Sequence, residues 1–303
     1  MPTLFTLGVA SVRGFGLFGG GSANIRAIFG FGADATLRSM TNLVSNTGIV
    51  SSDVTGVGGI RSQLAAAGYG TDKAIFGAGY PYNITNLVSN AGVVASDVTG
   101  VGTYRANYAG TGYGTDKAIF GYGDGPVSIT NLISSAGVIS SDVTGVGTAR
   151  SELAAARYST DKAIFGYGSG RTNITNLVSN TGVVSADTTG VGTSRNLLAA
   201  AGYGTGKAIF GYGETGFVTP VSITNLVSNT GVVSTDTTGV GTVRSGLAAA
   251  GYAGDKAIFG YGGTGGGTHY SMTNLVSNTG VVSSNVTGVG TARSNLAAAQ
   301  YGA

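Results

Sequence analysis

The side chains able to do acid–base, metal or anion chemistry are few, and most of them are periodic. The chain carries 13 Asp and Glu, 16 Lys and Arg, one His and no Cys. Asp53, Asp97, Asp142, Asp187 and Asp236 each stand eight residues before an Arg, at Arg61, Arg105, Arg150, Arg195 and Arg244. In the sixth copy Asn285 takes that place before Arg293. Asp72-Lys73 recurs as Asp116-Lys117, Asp161-Lys162 and Asp255-Lys256. Such pairs could form a ring of charged sites. The expectation is instead turn chemistry plus a strand-to-crossover ion pair or hydrogen bond in each copy, because no copy is singled out as an active site requires. His269 would need partners to act as a metal ligand or an acid–base group, and the sequence around it supplies none. The Gly-x-Gly of Phe-Gly-Tyr-Gly is not followed by the G-x-G-x-x-G that opens a phosphate-binding helix. Without Cys there is neither a thiolate metal site nor a disulfide framework. No catalytic, cofactor-binding or metal-ligating residue is therefore expected, and the chain reads as a non-enzyme.

The elements that must position these residues are set by a repeat. The phrase K-A-I-F-G-Y-G, a variable stretch, then T-N-L-V-S-N-T-G-V-V-S-S-D-V-T-G-V-G-T-A-R-S-x-L-A-A-A-G-Y-G-T-D returns six times. Its Phe falls at Phe29, Phe76, Phe120, Phe165, Phe210 and Phe259, in steps of 44 to 49 residues. From repeat Arg to the next Phe is always 15 residues, whereas from Phe to the Leu of T-N-L the distance runs from 11 to 16. The unit thus has a rigid part and one elastic loop. In the copy beginning at Arg150, four short β-prone segments fit, at 152–158, 162–167, 174–179 and 183–188. None reaches helical length, and their periodicity is not that of a helix. The alanine triplet favours helix by propensity, but it is too short and is bounded by Gly-Tyr-Gly in several copies. Ser179 to Gly182 reads as a tight hairpin with Gly supplying positive φ.

Four strands at a period near 45 residues is the arithmetic of a propeller blade. The expected fold is all-β, a β-propeller of six four-stranded blades. The alternative is seven blades, the last incomplete or shared between the termini. The alanine segment belongs on the axis, where room is least. Residues 25–303 form the repeat domain, and residues 1–24 an arm or closing strand. Within that arm, Gly8 to Arg13 is a worn copy of the crossover phrase.

Variation is confined to the elastic loop, at 33–39, 80–83, 124–127, 169–173, 214–221 and 263–270. These stretches carry Tyr80, Tyr82, Asp124, Arg171, Glu214, Phe217, His269 and Tyr270. Variable loops on a constant frame are where binding resides, and aromatic and Arg side chains are common anchors. These eight are the candidate binding residues. The net charge is +3 with basic residues spread out, which argues against a nucleic-acid partner or a polybasic membrane surface. No apolar run of membrane-spanning length occurs, so membrane insertion is not expected. Nor does the N-terminus carry a basic region ahead of an apolar stretch. The sequons at Asn83, Asn173 and Asn285 then read as chance.

The unit resembles a kelch repeat. Ala163-Ile164-Phe165-Gly166 stands where that family has its V-F-G strand, and Gly147-Thr148-Ala149-Arg150 where it has the crossover Arg. The Gly doublet is replaced by Gly-x-Gly, and the fourth-strand Trp is missing. The low-charge, nearly self-identical phrasing also resembles repeat proteins encoded by bacteriophages, where such propellers sit on tails or capsids. That resemblance implies a virion structural protein, with other virion proteins as partners and a host surface protein or glycan as a further one. The alternative is a cytoplasmic kelch-type propeller that binds a protein or glycan.

Overall fold

The computed structural model describes residues 24–302. The expected N-terminal arm falls almost wholly outside the described residues. Among those residues the chain is all-β, with no helix. The alanine triplets lie in strands, at Ala66–Tyr69, Ala154–Tyr158, Ala199–Tyr203, Ala248–Tyr252 and Ala297–Tyr301, and Ala109–Tyr113, with Gly110 and Thr111 in place of two alanines, is the corresponding strand of the third sheet. Tertiary context overrides their helix propensity, because the flanking strand offers every backbone group a ladder partner.

Each alanine strand pairs antiparallel with an Ile-Phe strand, which pairs antiparallel with a Thr-Asn-Leu strand. In the fourth copy Ala154–Tyr158, Lys162–Gly166 and Thr175–Val178 stand in that order. The same order recurs in all six sheets, and a seventh, two-stranded one lies within the variable loop at 214–221. The first sheet is assembled from both ends of the described chain. Arg26–Gly30 pairs with Thr41–Val44 on one side and with Ala297–Tyr301 on the other.

The fourth strand departs from expectation. Only one sheet has a named fourth strand, Val98–Thr99. Elsewhere the last segment touches its neighbour at two isolated bridges, such as Val178↔Val184 and Thr175↔Thr188. Between those bridges the outer segment has one residue more than its partner, so the ladder is broken by a bulge. Side chains take over there. The Leu177 amide donates to Ser185 Oγ at 2.9 Å, and Asn176 Nδ2 donates to the Ser185 carbonyl at 3.0 Å.

Neighbouring sheets interlock through small residues. A Cβ on Gly166 would lie 2.8 Å from Cζ of Phe210 in the next sheet. The Gly after each Phe therefore admits the following Phe, and in four sheets the Tyr beyond it packs against that Phe, as in Tyr122–Phe165, edge-on at 5.1 Å. Gly182 in the outer hairpin has φ +85° and receives the ring of Tyr113 from the preceding sheet. Burying each Ile, Phe and Tyr in these seams is worth roughly 1.5–3 kcal/mol.

Two sets of backbone hydrogen bonds link the sheets at opposite ends of the alanine strands. At the hairpin end the amides of Gly70, Gly114, Ser159, Gly204, Ala253 and Gly302 donate to the carbonyls of Asp116, Asp161, Gly206, Asp255, Ile25 and Asp72. At the other end Gln63, Asn107, Glu152, Leu197, Gly246 and Asn295 each donate to the carbonyl of the one before, and Gln63 donates to Asn295.

Candidate functional site

The repeated polar residues are built into the frame. Arg61, Arg150, Arg195, Arg244 and Arg293 are almost wholly buried. Arg150 shows the pattern. Its Nη2 donates to Asn176 Oδ1 at 2.7 Å, Nε to the Tyr167 carbonyl at 2.7 Å, and Nη1 to the Thr148 carbonyl at 3.0 Å. The guanidinium lies over the Tyr122 ring of the neighbouring sheet, 4.4 Å from its centroid. Asn176 passes the connection on, donating to Asp187 Oδ1 at 2.9 Å. Asp187 in turn accepts from the Thr148 amide and hydroxyl.

Each lattice Asp thus ties to the crossover that enters its sheet, not to the Arg eight residues ahead. Asp142 stands 3.7 Å from Arg105 and Asp53 4.0 Å from Arg293. The first-and-last contact repeats the others: Arg293 donates to Asn42, and Thr291 donates to Asp53. Burial penalises these carboxylates, but bonds from Thr and Asn outweigh it and hold Asp53, Asp142, Asp187 and Asp236 below their ordinary value. Burial pushes Arg61 down to about 10, which leaves it charged at neutral pH.

The variable loops gather at the end of the alanine strands away from the hairpins. Tyr80 bridges Ser62, Glu214 bridges Asn196 and Gly263 bridges Ser245. The amides of Asp124 and Ser169 reach the carbonyls of Ala106 and Ser151 at that end. Tyr80 and Tyr82 are exposed, beside exposed Tyr104, while Phe217 is 89% exposed. Val218 packs near Gly265 in the next sheet's loop. Asp124 accepts from Asn107 Nδ2 at 3.0 Å, and its charge acts on Tyr104.

Arg171 and Glu214 are brought together with two residues outside the loops, Glu152 and Asn196. Asn196 Nδ2 donates to Glu152 Oε2 at 2.5 Å. Burial first, then the Glu152 charge, push Glu214 above its ordinary value, and Arg171 opposes this. His269 and Tyr270 are half-buried at a separate place, with Tyr270 acting on Arg244. The candidates therefore divide into an aromatic group (Tyr80, Tyr82), a charged group (Arg171, Glu214), a lone projecting Phe217, an Asp124 tied to Asn107, and the pair His269 and Tyr270 near the frame.

Glu152 and Asn107 occupy the x of R-S-x-L, with Gln63, Leu197, Gly246 and Asn295 in the other sheets. All six adopt φ between +51° and +59°. The signal available in the sequence was that x changes in nearly every copy, whereas the Ser before it is kept in four copies and the Leu after it in five. Among the described residues no three His, Cys, Asp or Glu are grouped to hold a metal ion.

No family model and no curated protein matches this chain. Many solved structures are similar in fold. Among them is a fungal alcohol oxidase of the AA5 family, in complex with copper, at 12% identity and a TM-score of 0.58. The likeness covers 88% of this chain and spans 65% of that one, and at this identity it bears on fold alone.

Proposed function

We propose that the six sheets are blades of a closed six-bladed β-propeller, and that the chain is a non-enzymatic binding scaffold. In this reading it is a structural component of a virion tail or capsid surface and meets a host protein or glycan through its loop face. Support for ring closure comes from Ala297–Tyr301 pairing with Arg26–Gly30, and from the seam repeating every inter-sheet contact. That pairing favours six blades over seven.

The observation that carries the binding reading is a separation of roles. The repeated Arg, Asn and Asp are consumed by the frame, whereas Tyr80, Tyr82 and Phe217 stand exposed in loops that break the repeat. Aromatic anchors on a rigid scaffold lose little conformational entropy when they bind. The alcohol oxidase, at 12% identity, supports the fold and carries no activity over to this chain. The virion context rests on the resemblance to phage-encoded repeats.

Two measurements test the proposal. The protein should copurify with particles at fixed stoichiometry; a soluble pool with no particle-bound fraction would instead indicate the cellular adaptor. Replacing Tyr80, Tyr82 and Phe217 together by Ser should cut attachment to the host surface at least tenfold with unchanged folding. Undiminished attachment would remove this face from the account.

A further inference from the structure

The end of the molecule opposite the variable loops holds a second feature. A cavity of about 440 Å³ lies between the six alanine strands and opens at their hairpins. Its walls are mostly Ala and Gly, but its charged lining is one-sided. Lys73, Lys117, Arg157, Lys207 and Lys256 face it against a single acid, Asp116.

Two departures from the repeat concentrate that charge. The fourth position of the alanine strand is Gly68, Gly112, Gly202 and Gly251 in four sheets, but Arg157 in one and Gln300 in another. The residue before the hairpin Lys is Asp72, Asp116, Asp161 or Asp255 in four sheets, but Gly206 before Lys207. Lys73 and Lys256 have their own Asp at 3.4 Å, a partner that Lys207 lacks. Arg157 and Lys207 belong to adjacent sheets whose hairpins meet, the Ser159 amide donating to the Gly206 carbonyl. One departure adds a cation that reaches from the fourth sheet to the third, and the other removes an anion from the fifth, so the excess falls on one side of the shared cavity.

Arg157 is half-buried and spends one donor, Nη2, on the Gly114 carbonyl at 2.9 Å. A guanidinium has five N–H groups in a planar fork suited to tetrahedral oxyanions. Burial lowers its pKa, with the Asp161 charge opposing, so an arriving anion would relieve a cost already present.

We propose that this hairpin-side mouth binds a phosphate group on Arg157 and Lys207, either as free phosphate or as a phosphomonoester. Phosphate fits the charge excess because it carries about −1.5 to −2 at neutral pH with several strong acceptor oxygens. The site is independent of the loop face and of the virion reading.

The test is calorimetric titration of the intact protein with inorganic phosphate and, separately, with glycerol 3-phosphate, at constant ionic strength set with chloride. Wild type should show one saturable site. Arg157→Gly, which installs the residue found in four other sheets, should weaken it at least tenfold, and Lys207→Gln should weaken it several-fold. Tighter phosphomonoester binding would identify an organic ligand, and equal binding free phosphate. Absence of a saturable site in wild type, or equal affinity in both variants, overturns the proposal. Should Arg157→Gly fail to fold, the Lys207→Gln result decides alone, because that side chain is exposed and its loss leaves the frame intact.

Discussion

At the scale of the residue, the frame is held by six guanidinium groups that a reading of composition would place on the surface. Each is buried against an aromatic or neighbouring ring and fixed by an Asn carbonyl oxygen. Removing that oxygen leaves a buried cation short of a partner, so Asn225→Leu should destabilise by about 1.5–3 kcal/mol in urea unfolding, the range for hydrogen bonds to charged groups. One sheet solves the ring packing differently. Ala78 replaces the Tyr found at 122, 167, 212 and 261, and Tyr108 replaces the neighbouring Leu found at 64, 153, 198, 247 and 296. The Tyr108 ring covers Arg105 at 5.3 Å and its hydroxyl donates to the Ala78 carbonyl. The two changes are one swap, and their energies should not add. Ala78→Tyr and Tyr108→Leu should each destabilise, one by overpacking and one by a cavity, while the double variant recovers most of the loss. Additive losses in a double-mutant cycle would show the two positions to be independent.

The same residues set a pH dependence. Asp53, Asp142, Asp187 and Asp236 sit below the ordinary 3.8 in the folded chain. Their contribution is complete above the unfolded value and is lost as pH falls through the folded one. The urea midpoint should therefore decline below about pH 4, and Asp187→Asn should flatten that decline. The sixth copy already carries Asn285, which bonds Thr242 through both its amide atoms.

At the scale of the element, the three inner strands were legible because the alanine, Ile-Phe and Thr-Asn-Leu segments repeat with little change. Their ends also coincide with turn residues whose φ demands are visible in the sequence. The outer strand was not legible as it is. Residues 183–188 read as a fourth β-prone segment, but one surplus residue makes it a bulge held by Ser185 Oγ and the Asn176 amide. The buried Arg was missed because charge suggests exposure; the unvarying Asn of T-N-L was the signal. Hairpins supply a further test. Ala253 and Ser159 adopt φ +55° and +53° where other copies have Gly70, Gly114 and Gly204. Left-handed backbone costs a non-Gly residue about 1–2 kcal/mol, partly offset by the entropy Gly loses on folding. Ala253→Gly should stabilise by about 0.5 kcal/mol, read as a small rise in Tm; a fall would mean that hairpin strain is not relieved there.

At the scale of the whole molecule, the proposed ring is six wedges that close through a sheet shared by the two ends of the described chain. A single wedge cannot cover its Ile, Phe and Tyr, and stacking neighbours does so from both sides. In the proposed ring, closure would leave only short outer edges, which limits edge-to-edge pairing. The eight loop residues were legible as a variable set, but not their grouping. Grouping depends on which sheets become neighbours and on the x residues Glu152 and Asn107, whose importance shows only once the loops are seen to land beside them.

The most direct test uses the absence of Cys to place spin labels at the exposed hairpin tips. Ile49, Val93, Val183 and Val281 are 65–70% exposed and lie in the first, second, fourth and sixth sheets. Pulsed electron spin resonance on Cys pairs at 49/93, 49/183 and 49/281 reads the three separations. A closed six-membered ring predicts equal distances for 49/93 and 49/281, with 49/183 the longest. A 49/281 distance exceeding 49/183 would mean an open stack, and would contradict the account.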